Sequence, residues 1–291
     1  MKKQWKLGLT MVLATSLMAA CTNSGGGNGT GGEVKLAYVA WDSEIASTYV
    51  VKEVLEEKLG YTVQMLQVDA GPMFAGVADG SADAMVAAWL PTTHQSYIDT
   101  YGDRIEDLGV NLEGTKIGLV VPTYMENVSS IEDLKNGEIG AEVDYTITGI
   151  EPGAGIMMTT ETVLEEYELG GEWTLLESSS AAMAQQLQNA YAAEEPIIVT
   201  GWTPHWKFAS MDLKYLEDPM NIYGGDEQIH TFVRQGLQDD MPEAYAMLDK
   251  FNWTPDDMAA VMVEIMEGKS PEDAAKDWVA ANEDKVNAWL E

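Results

Sequence analysis

Apolar runs of strand length alternate with amphipathic helical segments from residue 34 onward, and that change of period confines the chain to an α/β architecture. Residues 34–40 read as a strand, 45–59 as a helix closed by Gly60, and 62–68 as a second, alternating strand. A helix over 72–79 ends at Gly80, and 84–88 is a third strand, so the first unit is expected to carry a mostly parallel sheet. Residues 116–121, followed by Pro122, form a strand leaving that unit. Ser129 with Glu132 spells a capping box. A second α/β unit follows, with strand material at 138–141, 147–150 and 173–176, helices over about 156–167 and 181–193, and a buried strand at 196–200. From Asp240 the pattern turns helical, with Pro242, Pro255 and Pro271 one or two residues past Asp, Thr or Ser, the arrangement that opens helices. These helices hold too little strand material for a third domain and are expected to pack back on the first unit. The reading is two lobes, 33–121 plus 216–291 and 122–215, with a cleft between them.

The first 20 residues join a basic start (Lys2, Lys3, Lys6) to an apolar stretch that ends in small residues, the pattern of a secretory signal. The stretch is too short for a confident membrane span. Leu17-Met-Ala-Ala-Cys21 is similar to a bacterial lipobox, in which the Cys becomes the lipid-modified first residue. Cys21 is also the only Cys, so no intramolecular disulfide is possible. Residues 22–32 are rich in Gly, Ser, Thr and Asn and read as a flexible tether. Lys2, Lys3 and Lys6 are three of the 16 basic residues; without them 13 basic stand against 48 acidic, a net of −35. Such a charge repels nucleic acid and anionic headgroups, and it suits a saline or alkaline habitat.

Three of the nine tryptophans stand where apolar runs end: Trp41, Trp89 and Trp202. In an open α/β sheet those are carboxyl-terminal strand ends, where ligands bind. Indole faces converging there make a box for a cation that donates no hydrogen bond, although most single tryptophans are packing residues. Trp173, Trp253, Trp278 and Trp289 show no such placement and are expected in cores. The turn Gly153-Ala-Gly-Ile156 joins a strand to a helix and lets the amides of Gly155 and Ile156 face an anion. Alone the turn is weak, since paired glycines also serve sterics. His94, five residues past Trp89, is placed to reach the same crevice, or is a turn histidine. No zinc-ligand spacing, nucleophile elbow or Walker motif is present, so neither a metal, a cofactor nor catalytic machinery is expected. An amino-acid betaine meets both demands of such a crevice, with a permanent cation for the indoles and a carboxylate for the donors.

Ala40-Trp41, Asp69-Ala-Gly-Pro72, Trp89-Leu-Pro-Thr-Thr-His94, Gly149-Ile-Glu-Pro-Gly-Ala-Gly-Ile156 and Thr200-Gly-Trp-Thr-Pro-His-Trp206 together resemble the glycine betaine/proline betaine substrate-binding proteins of ABC transporters. The resemblance runs from about residue 33 to 291. It implies a two-lobed type II periplasmic-binding-protein fold with the ligand in the inter-lobe cleft. It also implies an ammonium cage of Trp41, Trp89 and Trp202, with His94, Gly155 and Ile156 on the carboxylate. The implied partners are a permease and an ATPase on separate chains, and the implied setting is the outer face of the cell membrane, held by the lipid on Cys21. The protein is expected to be monomeric and to bind no nucleic acid. Binding of another quaternary ammonium osmolyte, choline or carnitine, is the alternative; a betaine lyase or demethylase would need an acid or base that is not evident. His205 and Trp206 share a string with Trp202, and whether they brace the loop or face the ligand is open.

Overall fold

The computed structural model describes residues 31–291; the signal, Trp5, Cys21 and most of the tether lie outside the described residues. The first unit is β1 (Glu33–Tyr38), α1 (Asp42–Glu57), β2 (Thr62–Gln67), α2 (Ala70–Asp79), β3 (Ala84–Leu90) and α3 (Gln95–Tyr101). An 18-residue strand, β4 (Ile105–Pro122), follows. Then come α4 (Gly137–Glu142), β5 (Thr146–Thr148), α5 (Gly155–Glu166), β6 (Thr174–Leu176), α6 (Ser180–Ala193), β7 (Ile198–Thr203), α7 (Trp206–Ser210) and β8 (Leu213–Tyr215). The chain returns through β9 (Glu227–Arg234) and closes with α8 (Leu237–Asp240), α9 (Pro242–Lys250), α10 (Pro255–Met266), α11 (Pro271–Ala281) and α12 (Glu283–Leu290).

The strands form the order β2-β1-β3-β9-β4-β7-β5-β6, with β8 also paired to β4. β4 is the element common to both halves: residues 105–115 pair with β9 and residues 116–120 with β7. Gly109 and Gly114, both at positive φ, sit at register shifts of the β4–β9 pair, where bulges bend the strand. In the first half only β1–β2 and β1–β3 are parallel; β9 inserts antiparallel between β3 and β4, against the mostly parallel sheet expected. β9 escaped the sequence reading because its inward positions include Glu227 and Thr231, which break the apolar period. Segment 138–141 lies in α4 rather than in a strand. The capping box falls one residue on from the expected one: the Ser130 side chain accepts from the Glu132 amide while Asp133 accepts from the amides of Ser129 and Ser130.

The C-terminal helices return to the first half, α10 and α11 against α1 and α12 against α9. Thr254 and Ser270 cap α10 and α11, each followed by Pro at the first helical position. Here the packing tryptophans collect: Trp278 stacks on Trp289 at 6.0 Å and meets Trp253 edge-on at 5.6 Å, while Phe251 meets Trp289 edge-on at 5.0 Å. Trp173 is buried in the second half, donating to the Leu134 carbonyl. No helix of the described residues is long and apolar enough to cross a membrane.

Candidate ligand site

The strand ends of the two halves face each other across a cavity. Its wall contains all six residues singled out from the sequence: Trp41, Trp89, His94, Gly155, Ile156 and Trp202. Thr93, Ile117, Ile150 and Ala154 complete the wall, which holds no carboxylate. Trp41 follows β1 and precedes α1, Trp89 is near the end of β3, and Trp202 is in β7. The tryptophans are nearly buried, at 6%, 3% and 4% exposure, so bulk water reaches little of their rings.

Carboxyl groups behind the wall hold two of these indoles by their N–H. Trp89 donates from Nε1 to Glu44 at 3.0 Å, and Trp41 donates from Nε1 to Glu151, which belongs to the opposite half. Glu44 is wholly buried; burial pushes its carboxyl up to about 8, against the opposing hydrogen bonds from Trp89 and Ser47. It therefore serves as a neutral acceptor at pH 7. The Nε1 of Trp202 is buried with no hydrogen-bond partner.

His94 is folded back on its own strand. Its amide donates to the Trp89 carbonyl at 2.9 Å, and its Nδ1 accepts from the Trp89 amide at 2.9 Å. An accepting Nδ1 puts the proton on Nε2, which is buried, partnerless and part of a cavity-lining ring. Burial pulls the imidazole down to about 3, so it remains a neutral donor. The loop that carries it is pinned by Glu227 of β9, which accepts from the amides of Thr92 and Thr93 at 2.8 and 2.7 Å and from the Thr93 hydroxyl.

Opposite His94, α5 begins at Gly155 with no side-chain cap, so its first amides have no intrahelical acceptor and its dipole favours negative charge at that end. A side chain at Gly155 would place Cβ 2.3 Å from the Thr93 carbonyl oxygen and 2.9 Å from the His94 ring. The glycine is what lets the helix end reach the loop. The steric reading of the Gly-x-Gly turn thus applies, beside a helix start that has no side-chain cap.

Beside the cavity, Asp42 at the start of α1 crosses to the second half. It accepts from Trp206 Nε1 at 2.9 Å and from the Ser180 hydroxyl at 3.3 Å, and it lies 3.3 Å from His205 Nε2. Burial acts to raise Asp42, but the His205 contact, the Trp206 bond and the Lys207 charge outweigh it and hold the carboxyl at about 2. His205 and Trp206 are absent from the cavity wall and face Asp42 instead. A further bridge runs from the Tyr97 hydroxyl to the Gly153 carbonyl at 2.7 Å. Glu44, Asp42 and Glu227 carried no usable signal in the sequence, being three among 48 acidic residues, while Glu151 lies within the Gly149–Ile156 string but was not singled out there.

The topology, the two facing halves and the cleft site define a type II periplasmic-binding-protein fold. Residues 32–281 match the family described as the substrate binding domain of ABC-type glycine betaine transport systems, and the chain belongs to that family. The glycine betaine/carnitine transport binding protein GbuC of Listeria monocytogenes is 51% identical over 155 residues, 53% of this chain and 52% of that protein. The chain thus spans about half the length of this curated relative. Among solved structures, lactococcal OpuAC in its closed-liganded conformation complexed with glycine betaine is 47% identical, with a TM-score of 0.84 over 89% of this chain and 99% of that one. The glycine betaine/L-proline-binding protein ProX of Borrelia burgdorferi is 37% identical, with a TM-score of 0.85 over 89% and 97%.

Proposed function

We propose that this chain is the extracytoplasmic receptor of an ABC transporter and captures glycine betaine, and proline betaine with it, for uptake as an osmoprotectant. One observation carries the reading: a single cavity joins three indoles, which suit an ammonium without N–H, to a neutral His94 Nε2–H and the open amides of α5, which suit a carboxylate. Trp41, Trp89 and Trp202 form the cage, each contributing roughly 0.5–2 kcal/mol. His94, Gly155 and Ile156 hold the carboxylate by hydrogen bonds to its charge. The glycine betaine named as the ligand of lactococcal OpuAC supports the assignment. Carnitine, named with glycine betaine for GbuC, is the second ligand to test.

Lobes of residues 33–121 plus 216–291 and 122–215 close on the ligand, and Asp42–Trp206, Trp41–Glu151 and Tyr97–Gly153 are contacts of the closed form. Lipidation at Cys21 anchors the receptor as a monomer beside its permease and ATPase. The test is calorimetric titration of the chain without residues 1–21 in high salt, with glycine betaine, carnitine and unmethylated glycine. Saturable binding of betaine but not glycine is expected; equal binding of glycine, or no heat from a folded sample, refutes the cage.

A further inference from the structure

Lys207 of α7 is wholly buried, and its Nζ stands 4.2 Å from the centroid of the Trp202 ring. That ammonium has no hydrogen-bond partner, and Lys207 is not part of the cavity wall. It therefore meets the indole outside the cavity wall, and an ammonium bound in the cavity would share the Trp202 ring with it. The geometry points to Lys207 as a specificity-determining residue: its charge behind Trp202 disfavours ligands of net positive charge, such as choline, relative to zwitterions such as betaine. The inference rests on the cavity being a quaternary-ammonium site.

The argument is electrostatic. Two cations sharing one indole stand roughly 8 Å apart, and at an effective dielectric near 20 their repulsion is worth about tenfold or more in affinity. A betaine carries its own carboxylate, which Lys207 attracts, so much of the repulsion cancels. Choline has nothing to cancel it.

Burial pulls Lys207 down to about 7, with Asp42 of α1 opposing. Its charge is therefore lost over the neutral range. His205 also faces it, but burial holds that imidazole at about 4 and neutral at the pH of interest. β7 brings Gly201 and Trp202 against the lysine stem, and α10, packed on α7, carries Asp256 and Asp257, the latter paired with Lys285. Across the cavity, Glu44 behind Trp89 begins to ionise toward pH 8 and would itself favour a cation, so its share has to be separated.

The experiment is titration of the mature chain and of Lys207→Met, which keeps the apolar stem, with glycine betaine and with choline at about pH 6 and about pH 7.5. At the lower pH, K207M should tighten choline about tenfold and betaine less than about threefold. The choline-to-betaine ratio of dissociation constants should fall severalfold between the two pH values in the native chain and clearly less in K207M, where Glu44 alone still titrates. An unchanged ratio in K207M at the lower pH overturns the proposal. If K207M does not fold, the pH series in Glu44→Gln decides: a ratio that fails to fall there overturns it equally. A native chain that binds neither ligand refutes the cavity assignment itself, whereas binding with an unmoved ratio refutes only the role of Lys207.

Discussion

Glu44 links the cavity wall to pH. Its carboxyl is raised by burial to about 8 from 4.5, so the folded chain keeps a proton there that the unfolded chain releases. Between those values the folded state binds more protons, and stability falls as pH rises from about 4.5 to about 8, then levels off. Glu44→Gln keeps an acceptor for Trp89 and removes the titration, so its stability relative to the native chain should improve with pH, by up to roughly 5 kcal/mol at the alkaline end. Denaturant melts at about pH 5 and about pH 8 test this, and a difference that does not grow with pH refutes it. The tryptophans of the wall were legible because each ends an apolar run, and His94 because it follows Trp89 within a turn. Glu44 was not, because position 44 shows its importance only through a hydrogen bond to residue 89, a contact that no local pattern encodes.

At the scale of elements, the site depends on how closely the start of α5 approaches the 92–94 loop. Gly155→Ala would set a Cβ against the Thr93 carbonyl oxygen, a backbone atom that cannot swing aside. Because the clash lies between the two halves, it opens the cleft rather than unpacking either core. Betaine affinity should drop at least about tenfold, while the melting temperature of the unliganded chain moves by only about 2 °C. A loss of stability as large as the loss of binding would place the damage in the fold instead. Asp42→Asn retains the size of the side chain but weakens the charge-assisted bond from Trp206 and the contact with His205. Betaine affinity should fall about three- to tenfold, through a faster off-rate measured by stopped-flow tryptophan fluorescence; a change confined to the on-rate contradicts a closing contact. The helices opened by proline and the strands β1 to β3 could be read from period and caps alone. β9 could not, since its buried Glu227 serves the Thr92 and Thr93 amides and so breaks the alternation that marks a strand.

The whole molecule sets its acidic surface against an uncharged site. Beyond Cys21, 13 basic residues face 48 acidic ones, an excess of 35 negative charges. Their mutual repulsion acts over a Debye length of about 10 Å in dilute salt and about 3 Å at 1 M, so raising the salt relieves it. The cavity wall carries no ionised group, and a betaine has no net charge, so binding has no comparable long-range term for salt to screen. Stability and affinity should therefore separate: from about 0.1 M to about 1 M NaCl the melting temperature should rise by roughly 5 °C or more while the dissociation constant of betaine stays within about twofold. Thermal melts and titrations on one salt series measure both. An affinity that follows salt as steeply as stability would mean that the surface charges reach the ligand, and a melting temperature that falls would mean that the 13 basic residues stabilise the fold through pairs that salt breaks.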